Sequence, residues 1–553
     1  MSTRVSTPLD QVADAFVDTI VALSPITATG IGAPGHDHEL DDFSPAGLAE
    51  RAEAARAVLR QVEATEVIDE VDRVTAAAMR ERLGLSVELF EAGEDYADLN
   101  NIASPLQNIR DVFDLMPTAT SDDWEIIAAR MGAVPGAVDG YIESLRLAVE
   151  KGPAPAVRQL EIGIKQAEEL AGDGSFWTTF AASPQAPEGL ATALNRNADV
   201  ARGAYARLAE ALRELAPHAP QADAVGRERY GRLSRLFLGA TVDLDETYEW
   251  GREELARIVA EQDEVAHQLY GDGTTADEAM RRLDEDVNRQ LHGTDALQRW
   301  MQETSDAAIE ALAGTHFDIA DPIRRLECCI APTQNGGIYY TGPTDDFSRP
   351  GRMWWSVPPG VEDFGTWREK TTVYHEGVPG HHLQIAQATY RAGELNRWRS
   401  LICWVSGHGE GWALYAERLM EQLGFLDDPG DRMGMLDAQR MRAARVVLDI
   451  GVHLGKPAPE EWGGGTWDAD KAWPFLKANV NMAEEFVRFE LDRYLGWPGQ
   501  APAYKVGQRL WEQARDEAAA RAGEAFDLRE FHRRALDVGS VGLDVLREAL
   551  RTR

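Results

Sequence analysis

Four of the 12 histidines lie close together in the second half of the chain. They are His375, His381, His382 and His408, and the first three belong to the run Tyr374-His-Glu-Gly-Val-Pro-Gly-His-His-Leu-Gln384. Histidine nitrogen is a favoured zinc ligand, and a glutamate next to it can act as a general base. The run therefore predicts a metal or catalytic site, in preference to an isolated structural histidine.

The spacing of these histidines differs from that of the HExxH motif, whose two histidines share one helix face. Pro379 occupies the fourth position after His375. His381, at the sixth, would lie about 240° around a regular helix, and His382, at the seventh, would lie about 10 Å along its axis. Zinc–nitrogen bonds are about 2.0–2.1 Å long, so neither spacing fits an undistorted helix.

Proline and glycine supply a distortion at this point. Pro379 lacks an N–H and its ring clashes with the carbonyl of His375, while Gly377 and Gly380 permit unusual backbone angles. A bulge between the two glycines would return His381 to the metal. The alternative is that Pro379 ends the helix and the histidines diverge.

A third ligand is expected from the run Gly407-His-Gly-Glu-Gly-Trp-Ala-Leu-Tyr-Ala-Glu417. Zinc enzymes combine three protein ligands with an open position. Glu410 and Glu417 are seven residues apart, about 10 Å along a helix, so only one of them reaches the metal easily. The glycines beside Glu410 favour it as the ligand. Glu417 is then expected to orient a ligand imidazole, or to be an ordinary solvated helix residue.

The elements that must position these side chains are mostly helices. Helices are predicted in the segments 44–65 and 243–270 from a Ser-Pro start and from helical spacing, respectively. Ile338–Tyr340 and Met353–Trp355 predict two short strands of a hairpin or small sheet. The composition changes near residue 315, so a soft boundary divides residues 1–315 from 316–553, although both parts could form one domain.

Composition restricts the partners. The formal net charge is −36, which disfavours nucleic acid and anionic membranes. No apolar stretch approaches the roughly 20 residues that span a bilayer, and the N-terminus lacks a signal-peptide core. Three cysteines, of which Cys328 and Cys329 are adjacent, fit a reducing compartment. We therefore expect a cytoplasmic protein.

Three motifs resemble those of a known bacterial family, called domain of unknown function 885. The motifs are His375-Glu-Gly-Val-Pro-Gly-His-His382, Glu410-Gly-Trp-Ala-Leu-Tyr-Ala-Glu417 and Arg493-Tyr-Leu-Gly-Trp-Pro-Gly-Gln-Ala-Pro-Ala-Tyr-Lys-Val-Gly507. Ser348-Arg-Pro-Gly351 is a fourth similar stretch. The resemblance implies a mainly α fold similar to zinc peptidases of the carboxypeptidase Taq type, with a small β element beside the active-site cleft. It also suggests a homodimer.

The resemblance and the residues together predict a zinc peptidase. Zn²⁺, one per chain, would be held by His375, His381 and Glu410, with His382 as the alternative second ligand and manganese or cobalt as alternative metals. Glu376 would take a proton from the activated water.

Further residues in the matching motifs are candidates for contacts with a short peptide. Tyr504, or alternatively His382, would donate to the oxyanion. A free C-terminal carboxylate would need a cation, for which the candidates are Arg493, Lys505, Arg349 and Arg352. The strand that contains Tyr340 could pair with an extended substrate.

Two other functions are compatible with the same residues. One is metal-dependent hydrolysis of a non-peptide amide or a metabolite conjugate. The other is a metal-free descendant that binds peptides without cleaving them.

Overall fold

A computed structural model describes residues 4–332 and 337–551 of the chain. Within those residues the protein is mainly helical, as the sequence predicts, and it has two small β-sheets, of which the sequence predicted one. No helix in the described segments is both long enough and apolar enough to cross a bilayer.

Among the described residues, thirteen α-helices precede the larger sheet. They are α1 (Pro8–Leu23), α2 (Pro25–Gly30), α3 (Pro45–Ala64), α4 (Glu70–Glu91), α5 (Pro105–Asp111), α6 (Ser121–Lys151), α7 (Val157–Ala171), α8 (Phe176–Ala181), α9 (Ala191–Leu215), α10 (Arg227–Leu238), α11 (Leu244–Tyr270), α12 (Ala276–Glu285) and α13 (Thr294–Leu312).

Nine α-helices follow the strands in the part of the chain that the structure describes. They are α14 (Thr366–Glu376), α15 (His381–Tyr390), α16 (Ser406–Gln422), α17 (Pro429–His453), α18 (Ala469–Asn479), α19 (Glu484–Gly496), α20 (Ala503–Ala522), α21 (Leu528–Asp537) and α22 (Leu543–Arg551). A π-helical turn, Trp398–Ile402, lies between α15 and α16.

Both helices predicted from the N-terminal sequence are present, and side-chain caps explain where they begin. The Ser44 hydroxyl accepts a hydrogen bond from the backbone N–H of Gly47 at 3.2 Å, with Pro45 at the first helical position of α3. The Asp243 carboxylate accepts from the N–H of Asp245 at 2.9 Å and begins α11 in the same way. Residues 497–502, which contain Pro498 and Gly499, separate α19 from α20.

The predicted small sheet is also present. Strands β2 (Leu326–Ile330), β3 (Ile338–Thr341) and β4 (Gly351–Trp355) form a sheet in the order β2-β4-β3. The β3–β4 pair is antiparallel, with Tyr340 opposite Met353, and β3 is an edge strand. A second sheet pairs β1 (Gln290–His292) with β5 (Asp363–Gly365), directly before α14.

Two hydrophobic cores fill the described part of the chain. The smaller core lies mostly among α5 to α9 and includes Phe113, Trp177 and Tyr205. The larger core joins α1, α3 and α4 to α10–α22 and the three-stranded sheet. The predicted soft boundary at residue 315 lies inside the larger core, which has members on both sides of it, such as Leu312 and Phe317.

The cysteines are all free thiols. Burial raises the pKa of Cys328 to about 12 and that of Cys403 to about 11, so both stay protonated near neutral pH.

Candidate metal centre

The run that contains the histidine cluster is not one distorted helix, because α14 ends at Glu376 and α15 begins at His381. The four residues between them form a tight turn with a cis Val378–Pro379 peptide bond. The N–H of Gly380 donates to the carbonyl of Tyr374 at 3.1 Å. The sequence predicted a bulge or a helix end as alternatives, and the helix does end.

The histidines nevertheless converge across this turn. The rings of His375 and His381 are 4.8 Å apart at their centroids and perpendicular to each other. Ligand atoms of His375, Glu376 and His381 all lie within 4.8 Å of one another, and all three residues are buried. The turn requires glycine at position 380, because a Cβ there would lie 1.9 Å from the carbonyl oxygen of His375.

Helix α16 brings Glu410 to the two histidines. Its Oε2 lies 3.4 Å from Nε2 of His375 and 3.5 Å from Nε2 of His381. The backbone approach is close, since a Cβ on Gly411 would lie 2.4 Å from the carbonyl carbon of Gly507 in α20. Glycine beside Glu410 therefore lets α16 and α20 cross at backbone contact.

Glu417 contacts the ring of His375 on the side opposite to Glu410. Its Oε1 accepts a hydrogen bond from Nδ1 of His375 at 2.7 Å, and its Oε2 accepts from the hydroxyl of Thr371 at 3.0 Å. A carboxylate can only accept, so Nδ1 carries a proton, and Nε2 is the ring nitrogen that faces Glu410. Glu417 is 1% exposed, so it is not a solvated helix residue.

Two partners of Glu417, Thr371 and Gln439, were not found from the sequence. Gln439 on α17 donates through Nε2 to Glu417 at 3.3 Å. Lys505 donates through Nζ to Oε1 of Gln439 at 2.6 Å, which fixes the orientation of that amide. Thr371 could have been recognised, because it lies four residues before His375 on the same helix face. Gln439 comes from a distant helix and gave no local signal.

The charges of the cluster are strongly coupled. Burial by itself would lower the pKa of His375, but Glu410 and Glu417 outweigh it and raise this pKa to about 10. Burial likewise opposes ionisation of Glu410, yet His381 and His375 hold its pKa well below the usual range. The site therefore keeps two ionised carboxylates next to two imidazoles in a buried position.

His382 faces away from this cluster. Its Nε2 lies 2.6 Å from the carbonyl oxygen of Ile323, so Nε2 carries the ring proton. Burial lowers the pKa of His382 to about 4, so the ring is neutral and Nδ1 accepts from the hydroxyl of Tyr340 at 2.9 Å. Both ring nitrogens are occupied, which argues against His382 as a metal ligand or an oxyanion donor. The Tyr340 hydroxyl is likewise used inside the protein.

Tyr504 lies at the start of α20 near Glu410. Burial, followed by the charge of Glu410, raises the pKa of Tyr504 to about 12, so it keeps its proton near neutral pH. The guanidinium of Arg445 lies 5.1 Å from the centroid of the Tyr504 ring. Arg445, which the sequence did not single out, is itself paired with Glu490 at 2.8 Å.

The four predicted carboxylate-binding cations are all engaged within the protein. Lys505 and Arg352 pair with residues far away in sequence, whereas Arg493 and Arg349 contact residues nearby in sequence. Lys505 pairs with Glu254 at 2.8 Å, Arg352 with Glu327 at 2.7 Å, Arg493 with Glu490 at 2.7 Å, and Arg349 donates to the carbonyl of Gly342 at 2.9 Å. Arg349 alone has no carboxylate partner among the contacts of the described residues.

A cleft leads to the cluster. Its cavity has a volume of about 740 Å³, and Glu410 lies on its wall. One side is formed by residues 94–105 next to the smaller core, and another by Trp497, Pro498 and Gln500 from the C-terminal motif. Arg493 donates to the side-chain oxygen of Gln500, so its contact is with the cleft wall.

The donor set fits zinc. Two ligand atoms that each lie about 2.0–2.1 Å from one tetrahedral ion are about 3.3–3.4 Å apart. The Glu410–His375 and Glu410–His381 separations of 3.4 and 3.5 Å match that spacing. In addition, Oε2 of Glu376 and Nδ1 of His381 are buried without a hydrogen-bond partner in the described part of the chain. An orphaned carboxylate oxygen beside three potential ligands is unusual unless another group contacts it.

Fold and site together define a mainly helical protein with a buried His/His/Glu cluster at a cleft. The chain belongs to the family described as bacterial protein of unknown function (DUF885), whose sequence profile matches residues 25–550. The family resemblance noted in the motifs is thus confirmed over nearly the whole chain. A search of curated proteins found no match.

Two solved structures share this fold. A "putative lipoprotein" from Colwellia psychrerythraea is 23% identical, with a TM-score of 0.84 and coverage of 98% of both chains. A "putative lipoprotein of unknown function" from Shewanella oneidensis is 16% identical, with a TM-score of 0.76 and coverage of 98% of this chain and 99% of that one. At these identities the likeness concerns the fold alone.

Proposed function

We propose that this protein is a zinc-dependent hydrolase that cleaves peptides. One observation carries the proposal: His375, His381 and Glu410 converge at zinc-ligand spacing, at the wall of a cleft, beside the unpartnered oxygen of Glu376. A purely structural cluster would be expected to satisfy that oxygen with a donor.

Each residue has a task that follows from its contacts. Zn²⁺ in this cluster would supply Lewis-acid activation of a water and of the substrate carbonyl. Glu417 holds a proton on Nδ1 of His375, so Nε2, which lies beside Glu410, is the nitrogen that would bind the metal. Glu376 is the candidate base, because its free Oε2 can take a proton and later return it to a leaving amine.

Tyr504 is the remaining candidate for a donor to the developing oxyanion. It is protonated at neutral pH and lies near Glu410. His382 is not proposed for this task, because its only ring proton is donated to the carbonyl of Ile323.

Removal of residues from the C-terminus of short peptides is the form of this activity that we propose. A cavity of about 740 Å³ suits a short peptide. Among the four predicted cations, Arg349 is the best candidate for the terminal carboxylate, because the other three are already paired with carboxylates. The similarity to carboxypeptidase Taq, the cytoplasmic location and a homodimer stay predictions from the sequence.

The metal content of the purified protein is the first measurement. About one zinc per chain is expected, with loss of most of it in Glu410→Ala and in His381→Ala. His382→Asn is the matched control and is expected to keep the zinc, because His382 bonds away from the cluster.

The zinc measurement can support or contradict the proposal. Zinc that is lost in both ligand variants and kept in the control leads to assays on short peptides and blocked amides, which distinguish a peptidase from a hydrolase of non-peptide amides. A wild-type protein that binds no zinc after the metal is supplied would contradict the proposal and leave a metal-free binding protein.

A further inference from the structure

A second cavity, of about 250 Å³, adjoins the cleft. Its wall is largely apolar and comes from α1, α3, α4 and the π-helical turn before α16. The main contributors are Phe16, Ile20, Leu23, Leu83, Trp398 and Ile402. Four residues line both this pocket and the cleft, so the two spaces share a wall: Arg51, Arg82, Ser86 and Trp404.

Trp404 is the part of the shared wall nearest the metal cluster in sequence and in space. Its ring packs directly on α16, since a Cβ on Gly409 would lie 2.3 Å from Cη2 of Trp404. Gly409 is the neighbour of Glu410, so the indole is held beside the candidate ligand. Trp404 is nevertheless 51% exposed. An exposed tryptophan at the wall of a cleft offers a large apolar face to a ligand.

The two arginines of the shared wall are already paired within the protein. Arg51 is paired with Asp41 at 2.9 Å, and the guanidinium of Arg82 donates to the carbonyl of Leu236 at 2.8 Å. The pocket therefore does not require a charged ligand to complete these contacts. Its apolar surface gains most from contact with an apolar group.

The size of the pocket restricts its occupant. Sites for whole drug-sized ligands are about 300–1,000 Å³, so 250 Å³ suits one side chain of a larger ligand. The rest of that ligand would lie in the adjoining cleft, which reaches Glu410.

We infer that the pocket beside Trp404 is a specificity subsite that accepts one aliphatic or aromatic side chain of the substrate while the reacting group lies at Glu410. The inference rests on the proposed hydrolase function for the nature of the substrate. The pocket itself is defined without reference to the metal.

Binding to metal-free protein tests the subsite separately from hydrolysis. After zinc has been removed with a chelator, dipeptides Gly-Xaa and Xaa-Gly are titrated by calorimetry, with Leu, Phe, Ala and Asp as Xaa. For at least one of the two orientations, Leu and Phe peptides are expected to bind about ten- to hundredfold more tightly than Ala and Asp peptides.

Two variants change the pocket in opposite ways. Trp404→Ala removes the indole from the shared wall, and Ala54→Phe places a ring in the pocket that Ala54 lines. Each is expected to reduce the preference for Leu and Phe to about twofold or less. Phe486→Ala is the matched control. Phe486 is also an exposed aromatic residue, 41% exposed, but it lies at the N-terminal end of α19, ten residues before Gly496, and lines neither the pocket nor the cleft. It should keep the preference.

The outcomes separate the two proposals. Equal binding of all side chains by the wild type, or an unchanged preference in Trp404→Ala, overturns the subsite. Trp404 is exposed, so Trp404→Ala is expected to fold and tests the subsite even when Ala54→Phe does not fold. A clear side-chain preference in binding, without hydrolysis of any peptide after zinc is restored, supports the subsite and contradicts the hydrolase.

Discussion

The helices α5 to α9 and the helices α14 to α16 both enclose a buried interior, but different side chains fill the two interiors. Around Phe113 and Trp177 the smaller core is built from aromatic and aliphatic groups in contact, with ring centroids 5.3 Å apart. Around His375 the interior holds two imidazoles and several carboxylates, with one carboxylate oxygen unpartnered. The first arrangement stabilises a fold. The second keeps charged groups in a buried position, away from the water that would weaken their electrostatic interactions.

The backbones of the two regions also differ, because the longest helices are longer in the first region than in the second. Helix α6 continues for 31 residues, even through Pro135. In contrast, α14 stops after 11 residues so that His381 can return to His375 across a four-residue turn. Regular helices suffice for packing, whereas convergence of ligands from neighbouring positions in sequence needed an irregular backbone. Four changes should sharpen or break this comparison.

Glu376→Gln should have the largest effect on function and little effect on the fold. The amide cannot take a proton, so peptide hydrolysis is expected to fall about 10²–10⁴-fold. Zinc content should match that of the wild type, and the free energy of unfolding should change by no more than about 1 kcal/mol. Parallel assays of activity, metal and urea unfolding check this. Activity above a tenth of the wild-type value would assign the base to another residue.

Trp177→Ala should show the reverse pattern. Trp177 is fully buried in the smaller core, and its loss should reduce the free energy of unfolding by about 3–5 kcal/mol. Zinc per folded chain should stay at the wild-type level below the thermal transition, because the ligands lie in the other core. Calorimetric melting with metal analysis provides the measurement, and loss of zinc from folded protein would show that the two cores are not independent.

Gly380→Ala should damage the site through the backbone. The added Cβ would lie 1.9 Å from the carbonyl oxygen of His375, so the turn must shift, at a cost of about 1–3 kcal/mol and with loss of zinc. Gly136→Ala on α6 is the control, because nothing lies within 4 Å of its Cβ position. That change should stabilise the protein by roughly 0.5–1 kcal/mol. Similar effects at both positions would remove the contrast between the two backbones.

His453→Gln should reveal a smaller, pH-dependent difference. Burial lowers the pKa of His453 to about 4, whereas an unfolded histidine titrates near 6.5. The unfolded chain therefore binds the proton first, and wild-type stability from this group is present above pH 6.5 and is lost as the pH falls toward 4.

Urea unfolding at pH 7.5 and pH 5.5 measures that loss. The wild type should lose about 1 kcal/mol more than His453→Gln between these two values. Helices α5 to α9 contain no histidine, so this kind of acid sensitivity belongs to the larger core. An equal loss in both proteins would mean that His453 does not contribute to it.

Local patterns predicted much of the structure. Caps and periodicity located α3 and α11, and aromatic and β-branched runs located β3 and β4. Motif chemistry selected His375, Glu376, His381, Glu410 and Glu417, which the structure brings together. These predictions rely on neighbours within a few residues, and such information is present in the chain itself.

Long-range partners were not predictable in the same way. Lys505 was expected to bind substrate, but it pairs with Glu254, 251 positions earlier, and holds Gln439. His382 follows His381 directly, yet it bonds to Ile323 and Tyr340. No local pattern shows which of two adjacent histidines faces a site when the backbone between helices is irregular.

The sequence by itself determined the helical character, the small sheet and the set of residues able to hold a metal, because helix periodicity and ligand chemistry act over short distances. Only the tertiary structure decided that the helix ends at Glu376, that α16 and α20 cross at Gly411 and Gly507, and that Trp404 separates the cleft from an apolar pocket. Those features depend on close packing between segments far apart in sequence, where a single Cβ changes which contacts are possible.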